Sequence, residues 1–249
     1  MKFITKFKSP NFDSRKKSKI SFIILHYTAL SNANEAISYL CDIRNKVSSH
    51  FLISQKGRIY MLVNENKRAW HAGVSYWNNQ TDINSKSIGI EIDYSPENKN
   101  NKFTRDIVAS LKRLIKYLSQ KYKIDNTNIL GHSDIAPYRK IDPGIEFPWN
   151  KFYNSNLIHD PSKNISSTNK NIKRWFIDNN IKSNKKIAIF ILSYIGYDTS
   201  KASYNNKYFK MLLAVYKMRY SKDNVSRTLD SVTLNLMIDH FLNLVLTKK

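Results

Sequence analysis

The chain reads ISFIILH from Ile20 to His26, and this stretch decides the fold. Its residues are mostly apolar and partly β-branched, a pattern that favours a short buried strand over a helix of the same length. A strand here delivers His26 to its carboxyl end. The stretch therefore predicts a sheet with a histidine at one rim.

Further strands are predicted on the carboxyl side of this one. Residues 50–53 and 58–63 flank a segment containing Gly57, which suits the tight turn of a hairpin. In the run from Ser87 to Ile92 every second residue is isoleucine, so Glu91 points away from the apolar face. Residues 128–132 predict a last short strand that runs into a loop.

Helices are predicted between these strands. Apolar residues recur at helical spacing from Ala36 to Ile43, with Asn32 or Asn34 as the cap, and again between Thr104 and Tyr122, with Thr104 as the cap. The order strand, helix, hairpin, strand, helix, strand predicts an α/β (α+β) fold, in which a mixed β-sheet is flanked by helices.

The sequence changes character after the last predicted strand. Residues 153–167 are rich in Asn, Ser, Pro and Lys without helical periodicity, which is typical of a linker. Four helical stretches follow, and Gly196 is placed to end the second of them. We therefore predict a first domain over residues 15–152, a linker over 153–167 and a small all-α domain over 168–249.

The charge and cysteine content limit the partners and the kinds of metal site that the chain can have. The 249 residues include 41 Lys and Arg against 19 Asp and Glu, a net charge of +22. This excess either reflects compositional bias at the surface or attracts an anionic partner. No recognised nucleic-acid-binding motif is present, so no specific nucleic acid is predicted as a partner. The single Cys41 excludes an internal disulfide and a zinc site built from several thiolates.

Membrane insertion and secretion signals are not predicted. No stretch reaches the roughly 18 uninterrupted apolar residues of a transmembrane helix. The first eight residues start with positive charge but lack the apolar run of a secretory signal.

One segment near the end of the first domain holds two potential metal ligands. It reads GHSDIAPYRKIDPG from Gly131 to Gly144 and contains His132 and Asp142, while two prolines restrict its backbone. A lone histidine in a loop is usually solvated or hydrogen-bonded. The segment by itself therefore does not establish a metal site.

Together with four other segments, this one resembles the type-2 amidase family of N-acetylmuramoyl-L-alanine amidases, the AmpD-like zinc amidases. The other segments are residues 22–28, 49–53, 69–73 and 87–91, in the family's order. The resemblance implies that His26, His132 and Asp142 bind Zn²⁺ and leave a fourth position for water. The chemistry agrees, because a catalytic zinc site has three N or O ligands and one open position.

The resemblance also implies two catalytic residues. Glu91 matches the family glutamate that takes the proton of the water and passes it to the departing alanine nitrogen. Lys140 matches the lysine that stabilises the oxyanion. Without the resemblance, Glu91 would be interpreted as a surface residue or an ion-pair partner, and Lys140 as one more surface lysine.

Substrate contacts are predicted at Tyr27, Trp70 and His71. Tyr27 adjoins a ligand, and the indole of Trp70 suits a sugar ring, with core packing as an equal alternative. His71 has a second interpretation, in which it orients a zinc ligand through a hydrogen bond. His50 is expected to have a structural role or to support a metal ligand, and His159 and His240 are expected at the surface or in packing positions.

The predicted reaction is hydrolysis of the amide bond between N-acetylmuramic or anhydro-muramic acid and L-alanine, in bacterial peptidoglycan or its muropeptides. Such a hydrolase serves cell-wall degradation or muropeptide recycling. The alternative is a recognition protein that binds peptidoglycan without cutting it. The complete set of implied ligands and catalytic residues argues against that alternative.

The C-terminal helices resemble, more weakly, a three-helix peptidoglycan-binding domain, from which the chain departs at the usual glutamines and several glycines. We expect them either to bring the enzyme to polymeric wall or to pack against the catalytic groove and complete it. The missing leader favours the cytoplasm, whereas this domain favours the periplasm or cell envelope. The sequence leaves the oligomeric state open.

Overall fold

The computed structural model describes residues 1–161, 169–221 and 226–247. Part of the predicted linker, residues 162–167, lies outside the described residues, as do residues 168, 222–225 and 248–249 of the predicted C-terminal domain. The chain divides into two compact units. The first contains residues 1–75, 81–133 and 140–159, and the second contains residues 76–80, 134–139 and the described residues from 160 onward.

The first unit is built on a mixed sheet. The strands of the described chain are β1 (Phe12–Ser14), β2 (Phe22–Tyr27), β3 (Phe51–Ile53), β4 (Ile59–Met61), β5 (Lys67–Ala69), β6 (Ser87–Ile92) and β7 (Ile129–Gly131). The main sheet has the order β4-β3-β6-β2-β7, and β1 pairs with β5 in a separate ribbon. Strands β3, β6, β2 and β7 run parallel, so their carboxyl ends share one edge.

Helices accompany the strands of this unit. They are α1 (Ala33–Cys41), α2 (Ile83–Lys86), α3 (Arg105–Tyr122), α4 (His132–Ile135), whose second half belongs to the second unit, and α5 (Trp149–Tyr153). The predicted caps of the two longest are confirmed. The side chains of Asn32 and Thr104 accept hydrogen bonds from backbone N–H groups in the first turns of α1 and α3.

Both faces of the main sheet are covered. The isoleucines of β6 pack with α3 in one apolar cluster, and Leu52 of β3 packs with α1 in another. Each fully buried isoleucine contributes about 1.5–3 kcal/mol relative to an exposed one. Because side chains alternate along a strand, His26 and Glu91 point away from α3. They lie opposite each other in the register of β2 and β6.

The second unit contains α6 (Asn169–Asp178), α7 (Asn184–Ile195), α8 (Ser200–Tyr204), α9 (Asn206–Tyr220) and α10 (Ser231–Thr247). Gly196 ends α7 at a φ of 130°, as predicted. The described part of this unit has five helices where four helical stretches were predicted, and α9 begins at Asn206 because the side chain of Asn205 accepts a hydrogen bond from the N–H of Lys207 and caps it.

The predicted fold class is confirmed: a mixed sheet flanked by helices is combined with an all-α C-terminal region. Two local expectations were incomplete. The ribbon of β1 and β5 was not predicted, and the segment after β7 starts with the short helix α4 rather than with a loop. In the part of the chain that the structure describes, no helix is both long and apolar enough to cross a membrane.

Candidate metal centre and active site

Three side chains converge at the carboxyl edge of the main sheet. His26 lies near the end of β2, His132 follows β7 directly, and Asp142 lies ten residues further on in a loop. Nδ1 of His26, Nδ1 of His132 and Oδ2 of Asp142 are 3.0 Å apart in each pair. All three residues are buried. We refer to them as the metal triad.

The imidazole of His132 is held by a backbone group. Its Nε2 donates to the carbonyl oxygen of Ala72 at 3.1 Å. This bond uses the Nε2 proton, so Nδ1 is the ring nitrogen of His132 that faces the triad and would bind a metal.

A chain of hydrogen bonds fixes His26 in the same way. The hydroxyl of Ser87 donates to the carbonyl of Ile83 at 2.7 Å, which leaves Oγ to accept from Nε2 of His71 at 3.1 Å. Nδ1 of His71 then accepts from Nε2 of His26 at 3.0 Å. Burial lowers the pKa of His71 well below its usual range and, with the neighbouring His132, lowers the pKa of His26 to about 4. Both rings are neutral, and Nδ1 of His26 also faces the triad.

Two residues make room for His71 and hold its backbone. A Cβ atom at Gly89 would lie 2.4 Å from Cγ of His71. Position 89 in β6 must therefore be glycine to leave space for the imidazole ring of His71. Oδ1 of Asn84 accepts from the N–H groups of His71 and Ala72 at 3.0 and 2.8 Å. One amide side chain thereby positions the groups that bond both triad histidines.

The donor set fits a divalent metal ion. Oδ2 of Asp142 faces Nδ1 of both rings. The triad therefore offers two ring nitrogens and one carboxylate oxygen, a donor set that suits a shared cation. Tetrahedral bonds of about 2.0–2.1 Å would place N and O donors about 3.3 Å apart. The observed 3.0 Å is close to that separation.

The loop that carries Asp142 folds back on the end of β7. The N–H of Ser133 donates to the carbonyl of Asp142 at 2.9 Å, and Gly144 follows with a φ of 85°. A Cβ atom at Gly144 would lie 3.3 Å from the ring of Tyr27, on a backbone conformation that L side chains rarely adopt. Glycine therefore allows the turn to pass close to Tyr27, which is half-buried.

Glu91 lies beside the triad, in register with His26. Its Oε2 is buried and has no hydrogen-bond partner among the described residues. Burial and the negative charge of Asp142 raise the pKa of Glu91 well above its usual range, and the positive charge of Lys140 opposes them. Lys140 is exposed, and its charge also acts on His26. The structure thus places Glu91 beside His26 in the sheet, and Lys140 two residues before Asp142 on the chain.

A sequence model of the family described as N-acetylmuramoyl-L-alanine amidase matches residues 16–145, just over half of the chain. The chain belongs to this family. The resemblance found in the sequence is confirmed, and the match spans the metal triad, Glu91 and Lys140.

Relatives of this amidase include enzymes and solved structures. The 1,6-anhydro-N-acetylmuramyl-L-alanine amidase AmpD of Haemophilus influenzae is 37% identical over 166 residues, which cover 59% of this chain and 89% of AmpD. AmpDh3 from Pseudomonas aeruginosa, in complex with anhydromuramic pentapeptide, is 27% identical with a TM-score of 0.75 and covers 95% of each chain. AmiD from Escherichia coli, in complex with the substrate anhydro-N-acetylmuramic acid-L-Ala-D-γ-Glu-L-Lys, is 25% identical with a TM-score of 0.74 and covers 92% of this chain and 91% of AmiD.

Two of the predicted substrate-binding residues of this amidase, Trp70 and His71, lie in different environments from each other. The indole Nε1 of Trp70 donates to Oδ2 of Asp13 at 2.7 Å, and Arg68 donates to the same oxygen. Trp70 is thus part of an ion-pair cluster rather than of the triad. The ring of His71 is buried between His26 and Ser87. Contact of Tyr27, Trp70 or His71 with substrate stays a prediction.

Sequence reasoning missed the residues that hold the triad histidines, namely Asn84, Ser87 and Gly89. Gly89 alone carried a signal, because a glycine inside a strand often marks the close approach of another group. Arg15, which was also missed, is buried and donates to the carbonyls of Asn84, Ser85 and Ser87. It anchors the segment that supplies these supports.

Proposed function

We propose that this amidase uses zinc to hydrolyse the amide bond between N-acetylmuramic or anhydro-muramic acid and L-alanine. The observation that carries the proposal is the buried metal triad, in which two oriented imidazole nitrogens and a carboxylate face one point. The names of AmpD and AmiD support the choice of bond. The bound ligands of AmpDh3 and AmiD support a muropeptide as substrate.

His26, His132 and Asp142 would hold the zinc ion. When bound there, zinc supplies a Lewis acid for the scissile carbonyl and a water whose pKa falls to about 7. The hydrogen bonds to Ala72 and His71 keep the two imidazoles in the tautomer that ligation requires.

Glu91 is the proposed general base and acid. Its buried carboxylate is positioned to take a proton from the attacking water and to return it to the alanine nitrogen as the bond breaks. The raised pKa of Glu91 supports this role, since a carboxyl group that releases its proton less readily is a stronger base. Its Oε2 has no partner among the described side chains and so remains available to a reactant.

Lys140 is the proposed oxyanion group. Its position two residues before Asp142 and the effect of its positive charge on Glu91 and His26 support a role in stabilising the carbonyl oxygen as it gains negative charge. We also propose that Tyr27 and Trp70 contact substrate and that His71 positions His26. Residues 15–152 form the proposed catalytic domain, and residues 168–249 the proposed peptidoglycan-binding-like domain.

Two measurements test the proposal. Elemental analysis of the zinc-reconstituted protein should return one zinc ion per chain. Mass spectrometry after incubation with soluble anhydro-muropeptides and with intact sacculi should detect free peptides that begin with L-alanine. Release from the soluble substrate alone would favour recycling in the cytoplasm, and release from sacculi would favour work in the envelope. Binding of muropeptides without any release would replace the proposal with a recognition protein.

A further inference from the structure

A second buried carboxylate lies in the same segment as the metal ligands. Asp134, two residues after His132, accepts a hydrogen bond from the hydroxyl of Tyr197 on Oδ1 at 2.7 Å and forms an ion pair with Arg219 through Oδ2. These residues are 1%, 1% and 4% exposed, respectively. We refer to them as the Asp134 cluster.

Neighbouring backbone contacts join the same segment to the C-terminal helices. The hydroxyl of Tyr138 donates to the carbonyl of Asp198 at 2.5 Å. A second short segment, residues 76–80, makes similar contacts: the N–H of Asn78 donates to the carbonyl of Gly196 at 2.8 Å. Both segments consequently belong to the compact unit formed by the C-terminal helices.

Glycine at position 196 is required for this packing. A Cβ atom there would lie 2.8 Å from the indole of Trp77, which packs edge-on against Tyr197 at 4.9 Å. A buried indole against a glycine leaves little room for the segment to shift, because protein interiors are close-packed.

Both short segments continue directly into the parts of the chain that build the metal triad. Residues 134–139 connect the ligands His132 and Asp142. Residues 76–80 follow shortly after Ala72, whose carbonyl holds the ring of His132. A carboxylate buried with its counter-ion is costly to displace, since separation leaves an uncompensated charge. The Asp134 cluster therefore fixes one end of the stretch that spans the two ligands.

We propose that Asp134, Tyr197 and Arg219 are positioning residues for the metal triad, because they anchor residues 134–139, which lie between the ligands His132 and Asp142. This inference rests on the proposed function for its effect on turnover. Its effect on metal affinity does not depend on which bond the enzyme cuts.

The test uses the full-length protein and compares three variants of the Asp134 cluster with one control variant. Tyr197→Phe removes one hydrogen bond, Asp134→Asn removes the charge and keeps the shape, and Arg219→Met removes the cation. Lys217→Met is the matched control. Lys217 is buried in α9 and bonds Asp230, Ser226 and the carbonyl of Thr228, none of which belongs to the two short segments.

The zinc dissociation constant, measured by competition with a chromophoric chelator, is the main readout. We expect it to rise about 10-fold or more in Asp134→Asn and Arg219→Met, and less in Tyr197→Phe, as for the loss of partners that orient metal ligands. In the same variants the visible spectrum of the Co²⁺-substituted protein should also change. Lys217→Met should lower thermal stability and leave the zinc dissociation constant and the Co²⁺ spectrum unchanged.

An unchanged zinc affinity in the three cluster variants would overturn the inference. An equal loss in Lys217→Met would also overturn it, because the cause would then be general destabilisation. If Asp134→Asn and Arg219→Met fail to fold, the milder Tyr197→Phe decides. A wild-type protein that binds zinc but releases no alanine peptide would refute the proposed function and leave the metal-affinity comparison intact.

Discussion

The metal triad and the Asp134 cluster each bury one carboxylate with two partners, and they differ in charge balance. Asp134 faces a guanidinium and a phenol, both of which donate to it. Asp142 faces Nδ1 of two imidazoles, each of which donates a hydrogen bond to another group through its Nε2. The first cluster is complete in itself, whereas the second requires a cation.

This difference separates a structural cluster from a ligand site without reference to any relative. A buried charge is tolerated only when it is paired or coordinates a metal. The partners of Asp134 satisfy the first condition, and the geometry around Asp142 satisfies the second.

The largest effect is expected at the triad. His26→Ala should remove zinc and reduce turnover by about 10³-fold or more, since metal catalysis contributes several kcal/mol of barrier lowering. Zinc content by elemental analysis and product release by mass spectrometry measure the two losses. A His26→Ala protein that retains full metal and turnover would show that the triad is not the metal site.

The Asp134 cluster should respond to charge balance in the opposite way. Asp134→Leu leaves the Arg219 cation buried without its carboxylate and should lower the free energy of unfolding by about 3–5 kcal/mol. Adding Arg219→Met should restore most of this loss, because an apolar pair of similar volume replaces a buried ion pair. Denaturant unfolding of both variants measures the difference. A double variant no more stable than Asp134→Leu alone would show that Asp134 and Arg219 do not simply neutralise each other.

Substitution of Glu91 should reduce turnover without reducing the zinc content of the protein. Glu91→Gln keeps the shape of the side chain and removes the base, so turnover should fall by about 10²-fold or more while zinc stays bound. Steady-state rates on a soluble anhydro-muropeptide, together with zinc content, test this expectation. Turnover equal to that of the wild type would remove Glu91 from the mechanism.

Much of the first unit could be predicted from the sequence because its signals are local. The isoleucines of β6, the apolar run of β2 and the caps Asn32 and Thr104 each act within a few residues of themselves. The family resemblance implied the roles of the triad, Glu91 and Lys140. The structure adds that the three triad residues lie together and that Glu91 lies beside His26.

Other features could not be predicted because they depend on contacts between distant residues. Asn84 and Ser87 both bond His71, which lies 13 and 16 positions away from them in the chain. Arg219 pairs with Asp134 across 85 residues. In a chain so rich in arginine and lysine, nothing local marks Arg219 as buried. The position of Trp70 beside Asp13 is likewise set by the pairing of β1 with β5.

The smallest effect is expected at the end of the hydrogen-bond chain. Ser87→Ala removes the acceptor of His71 Nε2 and the donor to the Ile83 carbonyl, at a cost of about 1 kcal/mol in the free energy of unfolding. His71 can then carry its proton on Nδ1, where it no longer accepts from His26. Zinc affinity should consequently fall by about 10-fold, the low end of the range for losing a residue that supports a metal ligand, because Ser87 acts through His71.

Ser110→Ala is the matched control for Ser87→Ala. Ser110 is equally buried, lies in α3, and donates to the carbonyl of Gly57 at 2.8 Å, away from the triad. It should cost a similar free energy of unfolding and leave zinc affinity unchanged. If both variants bind zinc as the wild type does, His71 fills space beside His26 and does not set its tautomer. If only Ser87→Ala weakens zinc binding, Ser87 holds the tautomer of His71, and His71 in turn orients His26 for zinc.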